Sequence, residues 1–412
     1  MKVFEGIGEL ITLSGVVKKS GKRIVEKDLG RIRNGVLVVD KGRILWAGSQ
    51  SMWVRQRKGI PGISKAKKVN LEGRTVIPGF VESHTHSVFA GDRSKEFEMR
   101  MTGVSYEDIA KKGGGILSTV KATRKASLNH LTEDLKLRVN RFVKQGVTTL
   151  EVKSGYGLNS SSEIKMLKAI RSISSPKLVS TFLGAHAIPP EFPNAGKYID
   201  YLIADTLPKV VKAGLADRAD IFIEKGYFDS VIGEKYLRAC RDAGLDICVH
   251  TEQLNLTQGY QLAIDQKAKS VEHVVQLDAK GISEMAKSET VCVLLPAADF
   301  YLKMAYPSAR KLIDGGARVA LATDFNPGSS PTQDLSLVGV LARIEMGMSL
   351  PEVISAYTFN AAKALSLESE VGAILPGYSA DFVVLDDGWD RLFYSVGYHP
   401  VHSTFWKGKR VF

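Results

Sequence analysis

Thr75-Val76-Ile77-Pro78-Gly79-Phe80-Val81-Glu82-Ser83-His84-Thr85-His86 opens the middle of the chain with an apolar run that feeds directly into a His-x-His pair. In extended backbone the side-chain period is two, so His84 and His86 face the same way and two imidazoles can reach one ion. Alone, the pair is a weak signal, because two loop histidines satisfy it equally well. The chain beyond it decides the fold. Short apolar runs recur at 75–79, 147–152, 178–183, 219–223, 247–249, 270–275, 291–295 and 319–322. Segments with apolar spacing of three to four lie at 131–144, 161–173, 233–243, 256–265 and 350–364. Buried strands alternating with one-faced helices predict an α/β fold, and eight such strands suit a (β/α)8 TIM-like barrel better than a small open sheet.

The chain ends have a different texture. Strands are expected at 35–40 and 43–48 around the turn Asp40-Lys41-Gly42, and at 380–385 and 401–405 before the hairpin turn Lys407-Gly408-Lys409. Neither end is long enough to build a secure core alone, so residues 1–73 and 373–412 are expected to pair into one small β-domain around a barrel of residues 74–372.

Composition narrows the function. The 412 residues are 44% hydrophobic, enough for a substantial core and too many for a disordered or fibrous chain. The 56 basic and 44 acidic side chains leave a net charge of +12, a field that favours anions. The densest basic stretch, 65–68 with Arg55, Arg57 and Lys58 upstream, lacks aromatic interleaving and any nucleic-acid-binding pattern, so it reads as solvated surface. Cys240, Cys248 and Cys292 form no CxxC element and no paired framework, which fits a reducing compartment. With no legible secretory signal and no apolar run near membrane-spanning length, a cytoplasmic location is expected, with neither nucleic acid nor membrane as partner. There is no GxSxG nucleophile elbow, and Gly113-Gly114-Gly115 lacks the spaced glycines and lysine of a phosphate loop.

Further polar residues fall at the ends of the expected strands. His186 follows the third, His250 closes Asp246-Ile247-Cys248-Val249-His250, His273 lies in the sixth, and Asp324 follows the eighth and precedes Phe325-Asn326-Pro327-Gly328-Ser329-Ser330-Pro331. In a barrel all of these converge at the C-terminal face. His84, His86, His250 and Asp324 offer three neutral nitrogens and a hard carboxylate, a set suited to one Zn2+ or Fe2+ with a position open for water. The bland alternatives are a satisfied strand-end histidine and a turn-capping aspartate. Asp324 is also expected to accept a proton from water, and His273 to hydrogen-bond that water or pass the proton on. Lys225 lies near the end of the fourth strand, but Glu224-Lys225-Gly226 is insufficient support for a second ion there, and one ion is expected.

Four longer words carry a resemblance. They are His84-Thr85-His86-Ser87-Val88-Phe89-Ala90-Gly91-Asp92-Arg93, Glu151-Val152-Lys153-Ser154-Gly155-Tyr156-Gly157, Gly184-Ala185-His186-Ala187-Ile188-Pro189-Pro190, and Thr323-Asp324 with the loop after it. Across almost its whole length the chain resembles the metal-dependent amidohydrolase superfamily and, within it, the imidazolonepropionase family. The resemblance implies hydrolysis of 4-imidazolone-5-propanoate to N-formimino-L-glutamate in histidine degradation. It also implies a small β-sandwich built from both chain ends, and a homodimer. Arg93, Tyr106, Tyr156, His186, Asn326, Gly328 and Ser329 match positions expected to bind substrate, with Arg93 holding the propanoate carboxylate. The residue-level alternatives are a structural ion pair for Arg93, packed aromatics for the tyrosines and a self-stabilised turn for Asn326. The chain departs from the pattern at Gln253, where some members carry glutamate. Gln253 is expected to orient substrate as an amide, with proton transfer left to Asp324 and His273, although in unbroken extended backbone Glu252 rather than Gln253 would share the side of His250. An aminohydrolase acting on a purine-like or pyrimidine-like ring is the nearest competing function, and a noncatalytic metal-containing scaffold a remoter one.

Overall fold

The computed structural model describes residues 1–104 and 114–412. Its strands, in chain order, are β1 (Lys2–Ile11), β2 (Arg31–Asp40), β3 (Arg43–Ser49), β4 (Lys67–Asn70), β5 (Thr75–Pro78), β6 (Phe80–Glu82), β7 (Val147–Lys153), β8 (Lys177–Ala185), β9 (Arg218–Ile223), β10 (Asp246–Thr251), β11 (Ser270–His273), β12 (Val291–Leu294), β13 (Arg318–Leu321), β14 (Phe382–Leu385), β15 (Val401–Trp406) and β16 (Lys409–Arg410). From β6 to β13 every strand pairs in parallel with the next, an eight-stranded barrel sheet in sequence order. The seam between β6 and β13 is closed by other means. Glu82 Oε1 accepts from Thr323 N at 3.1 Å, and beyond the strands Thr85 bridges Phe325, with His86 N donating to Phe325 O at 2.9 Å. The helices Leu128–Lys144, Ser160–Arg171, Ser230–Asp242 and Ala279–Lys287 follow their strands and bury one face each, as their apolar spacing requires.

The expected first barrel strand, 75–79, is corrected. Thr75–Pro78 pairs with β1 and β14 in the other sheet, and the barrel begins with the three residues of β6. Pro78 brings no N–H to a ladder, and at Gly79 the chain changes sheets: Gly79 N donates to Asp381 O and Phe80 N to Gly146 O, both at 3.0 Å. A side chain there would place its Cβ 2.2 Å from Thr148 Oγ1, so only glycine makes the crossing. The expected helix 350–364 is two helices, Leu350–Ala356 and Phe359–Ala364, because Thr358 Oγ1 bonds Ile354 O at 2.6 Å and the backbone leaves the helical region there. The helix expected from 256 starts at Gly259, and the strand expected through Val275 stops at His273, since His273 and Val274 both have positive φ.

Both chain ends build the second sheet, in the order β16-β15-β14-β5-β1-β2-β3 with β4 also on β1. Its hairpins turn where expected: Lys41 and Gly42 (φ 47° and 80°) and Lys407 and Gly408 (φ 49° and 69°) take the left-handed pair of a two-residue loop. Phe382 stacks on Phe405 and Phe4 meets both edge-on, all three ring centres within 5.4 Å of one another, in a core of its own with Ile7, Leu37 and Val76. Among the described residues no helix is long and apolar enough to cross a membrane, and Cys240, Cys248 and Cys292 are all buried free thiols.

Candidate metal centre

At the C-terminal end of the barrel strands the four expected ligands meet. His84 Nε2 lies 3.3 Å and His86 Nε2 3.4 Å from the same oxygen, Asp324 Oδ1. The His250 ring centre is 4.6 Å from that of His84. Donor atoms of His84, His86 and His250 lie within 4.8 Å of one another, as do those of His84, His273 and Asp324. Parity explains the first pair, since the residues after β6 stay extended against Phe325. His273, the last residue of β11, and Asp324, beyond the end of β13, reach inward differently, each turned by a positive φ (75° and 51°).

The chemistry of this cluster fits a divalent cation. His84 Nε2, His250 Nε2 and Asp324 Oδ1 are buried and have no hydrogen-bond partner, a costly arrangement for polar atoms that face one another. Burial holds His84, His86 and His273 well below the ordinary imidazole pKa, so they are neutral with lone pairs to give. The same burial lifts Asp324 to about 7.

Behind the histidines lies a charged layer that the sequence did not single out. His250 Nδ1 is 2.9 Å from Asp220 Oδ2, and His84 Nδ1 is in direct contact with Glu272 Oε2. Lys153 Nζ stands between those carboxylates and Glu151. The available signal was parity: Glu151 and Lys153 alternate with Leu150 and Val152 in β7, Asp220 lies between Ala219 and Ile221 in β9, and Glu272 follows Val271 in β11, yet all four charged residues are fully buried.

In front of the histidines a cavity of about 410 Å3 opens. Arg93, Tyr156, His186, Asn326, Gly328 and Ser329 all line it, while Tyr106 and Gly113 lie outside the described residues. Arg93 Nε is held by Glu96 Oε2 at 2.7 Å, which lays the guanidinium over Gly328; a Cβ on Gly328 would come within 2.0 Å of Arg93 Nη1. Arg100, unnoticed in the sequence, lines the same side and reaches Gly328 O at 3.4 Å. His186 stacks on His86 at 5.1 Å and gives its Nδ1 proton to Gly155 O at 3.0 Å, which fixes the ring's tautomer. Asn326 spends its amide on its own loop: Oδ1 accepts from Gly328 N and Ser329 N at 2.8 Å, and Nδ2 donates to Asp324 O at 2.7 Å.

The model of the amidohydrolase family matches residues 75–411. An imidazolonepropionase of Bdellovibrio bacteriovorus is 50% identical over 414 residues, covering 100% of this chain and 96% of the relative. One of Rhizorhabdus wittichii is 39% identical over 390 residues, covering 92% and 95%. The chain belongs to the amidohydrolase family, with the imidazolonepropionases. Its likeness to the solved structure of E. coli guanine deaminase (TM-score 0.69, 15% identity, covering 100% of this chain and 99% of that one) is one of fold.

Two questions about this amidohydrolase turn on geometry. β10 ends at Thr251 and Glu252 has φ 52°, which reverses the strand's parity, so Gln253 lines the cavity. Glu252 instead accepts from Thr257 N at 3.0 Å, Gly259 N at 3.2 Å and Tyr260 N at 3.3 Å, a capping role for the helix Gly259–Asp265. Lys225 is exposed, and its neighbour Glu224 accepts from Leu254 N at 2.8 Å, pinning the loop that carries Gln253.

Proposed function

We propose that this chain hydrolyses the ring amide of 4-imidazolone-5-propanoate to N-formimino-L-glutamate, with one divalent ion, Zn2+ or Fe2+, held by His84, His86, His250 and Asp324. The observation that carries this reading is a cluster of buried imidazole and carboxyl atoms without hydrogen-bond partners, opening onto a cavity whose rim presents Arg93, in a chain whose relatives of full length are imidazolonepropionases.

Such an ion, when bound, lowers the pKa of water and polarises the scissile carbonyl. The residues of the chain do the rest. Arg93, steadied by Glu96, offers its donor fork to the propanoate carboxylate, and the missing side chain at Gly328 leaves room for it. Tyr156, His186 and Gln253 orient the ring, Gln253 as an amide that both donates and accepts. Ser329 closes the carboxylate side through the loop that Asn326 braces. Asp324 accepts the proton that water loses, hydroxide adds to the ring carbonyl carbon, and His273 assists transfer of that proton to the departing ring nitrogen as the carbon–nitrogen bond breaks. One water is consumed and a carboxylate and a formimino nitrogen result. A homodimer in the cytoplasm belongs to the same proposal.

Incubating metal-loaded protein with freshly prepared imidazolonepropanoate tests it. N-formiminoglutamate is the expected product, lost in His84→Ala. Unchanged turnover in that variant would sink the metal centre, and ammonia release from neutral heterocyclic amines would move the chain to the aminohydrolases.

A further inference from the structure

TIM-type barrels fill their interiors with layers of branched apolar side chains. This one carries a fully buried ionic layer directly beneath the histidine cluster. Lys153 Nζ lies 2.7 Å from Glu151 Oε1, 2.8 Å from Asp220 Oδ2, 3.4 Å from Glu272 Oε2 and 3.9 Å from Cys248 Sγ. Asp220, Cys248 and Glu272 are themselves grouped closely enough to hold a cation, and the ammonium stands among them. An ammonium stripped of water is costly to bury unless its donors meet acceptors, and here three carboxylates surround it.

The same oxygen atoms face both ways. Asp220 Oδ2 is shared between Lys153 Nζ and His250 Nδ1, at 2.8 and 2.9 Å. Glu272 Oε2 is shared between Lys153 Nζ and His84 Nδ1. The other oxygen of Glu272 accepts from Ser270 Oγ at 2.8 Å, and Ser270 in turn takes a donor from the buried Arg218 at 3.0 Å. A carboxylate on Nδ1 of an imidazole fixes the proton there and leaves Nε2 as a directed lone pair.

We infer that Lys153 is a positioning residue: by anchoring Asp220 and Glu272 it sets the tautomer and direction of His250 and His84, and through them the affinity of the centre for its ion. The inference rests on the metal reading above, and it concerns what stands behind the ligands rather than the ligands themselves.

The test compares wild type with Lys153→Arg, Lys153→Met and Lys153→Met/Glu272→Gln. Zinc is titrated in competition with a chromogenic chelator, bound zinc is counted by elemental analysis, and imidazole tautomers are read from long-range 15N–1H spectra of the metal-free protein. Lys153→Met is expected to bind zinc about 10- to 100-fold more weakly and to lose the Nδ1–H form at two histidines, and Lys153→Arg to recover part of both. The double variant removes one positive and one negative charge, so it is expected to regain thermal stability but not affinity, because an amide at 272 can present either a donor or an acceptor to His84. If Lys153→Met does not fold, the double variant decides. Wild-type affinity and tautomers in Lys153→Met, or full recovery of affinity in the double variant, would make Lys153 a charge-balancing core residue and overturn the inference. Wild-type protein that takes up no zinc or iron would instead overturn the metal reading on which it stands.

Discussion

Gly328 separates stability from recognition at a single residue. A Cβ there meets only the far end of a flexible side chain, Arg93 Nη1 at 2.0 Å, so the fold can yield by moving the guanidinium. Gly328→Ala is therefore expected to leave the unfolding temperature nearly unchanged while raising KM for the carboxylate substrate about 10- to 100-fold, the worth of a hydrogen-bonded charge. A fall in kcat at constant KM would mean that Arg93 does not hold the carboxylate. Gln253 makes the complementary case. Gln253→Ala should raise KM about tenfold, the scale of one hydrogen bond, and Gln253→Glu should not raise kcat above wild type. A faster Gln253→Glu enzyme would show that the proton path runs through position 253. The metal-ligand candidates were legible in the sequence because strand-end histidines in a barrel share one face. Gln253 was ambiguous there because the choice between it and Glu252 hangs on one backbone angle, the positive φ of Glu252. Lys153, Asp220 and Glu272 were missed because a charged residue at alternate strand positions looks the same whether its face meets water or a polar interior.

At the level of elements, the loop after β10 depends on a buried carboxylate rather than on apolar packing. Glu252 satisfies three backbone N–H groups between Thr257 and Tyr260, donors that have no helical partner of their own. Glu252→Ala is expected to destabilise the protein by about 1–3 kcal/mol, the cost of stranding buried donors, and to lower kcat/KM because Gln253 follows directly. Urea unfolding at neutral pH, with kinetics on the folded fraction, checks both; a variant as stable as wild type would refute the capping role. The same dependence on local detail explains which elements the sequence revealed. Alternating apolar runs marked the barrel strands after β6 and the helices between them. They could not say that Thr75–Pro78 belongs to the other sheet, because an apolar run carries no label for its partner and the crossing at Gly79 is a contact with Thr148. Nor could spacing reveal the break at Thr358, where a side-chain hydroxyl competes for helix carbonyls.

Across the whole molecule, the barrel is tied to the chain's C-terminal segment by polar contacts whose strength depends on pH. Asp334, at the start of the barrel helix Leu335–Ile344, accepts from Ser336 N at 2.8 Å and Leu337 N at 3.1 Å and lies 3.1 Å from His399 Nε2, just before β15. Partial burial would raise its pKa, but the His399 contact and the helix donors outweigh that and hold it well below the usual carboxylate range. A carboxyl whose folded pKa is depressed stabilises fully above its unfolded pKa, about 3.9, and loses that contribution as pH falls through that value toward the folded one. Asp28, bonded to Lys19, is shifted in the same direction, so the acid limb of wild type sums several such groups and only a variant isolates one. Asp334→Asn keeps a good helix cap and removes the charge. Its deficit relative to wild type should be on the order of 1 kcal/mol at pH 7, and should shrink as pH falls below about 4, where the carboxylate takes up a proton in the unfolded wild-type chain while the folded one stays ionised. Chemical denaturation of both proteins between pH 7 and 3 measures this directly. Parallel stability curves would show that the Asp334–His399 contact contributes nothing to joining the C-terminal segment to the barrel.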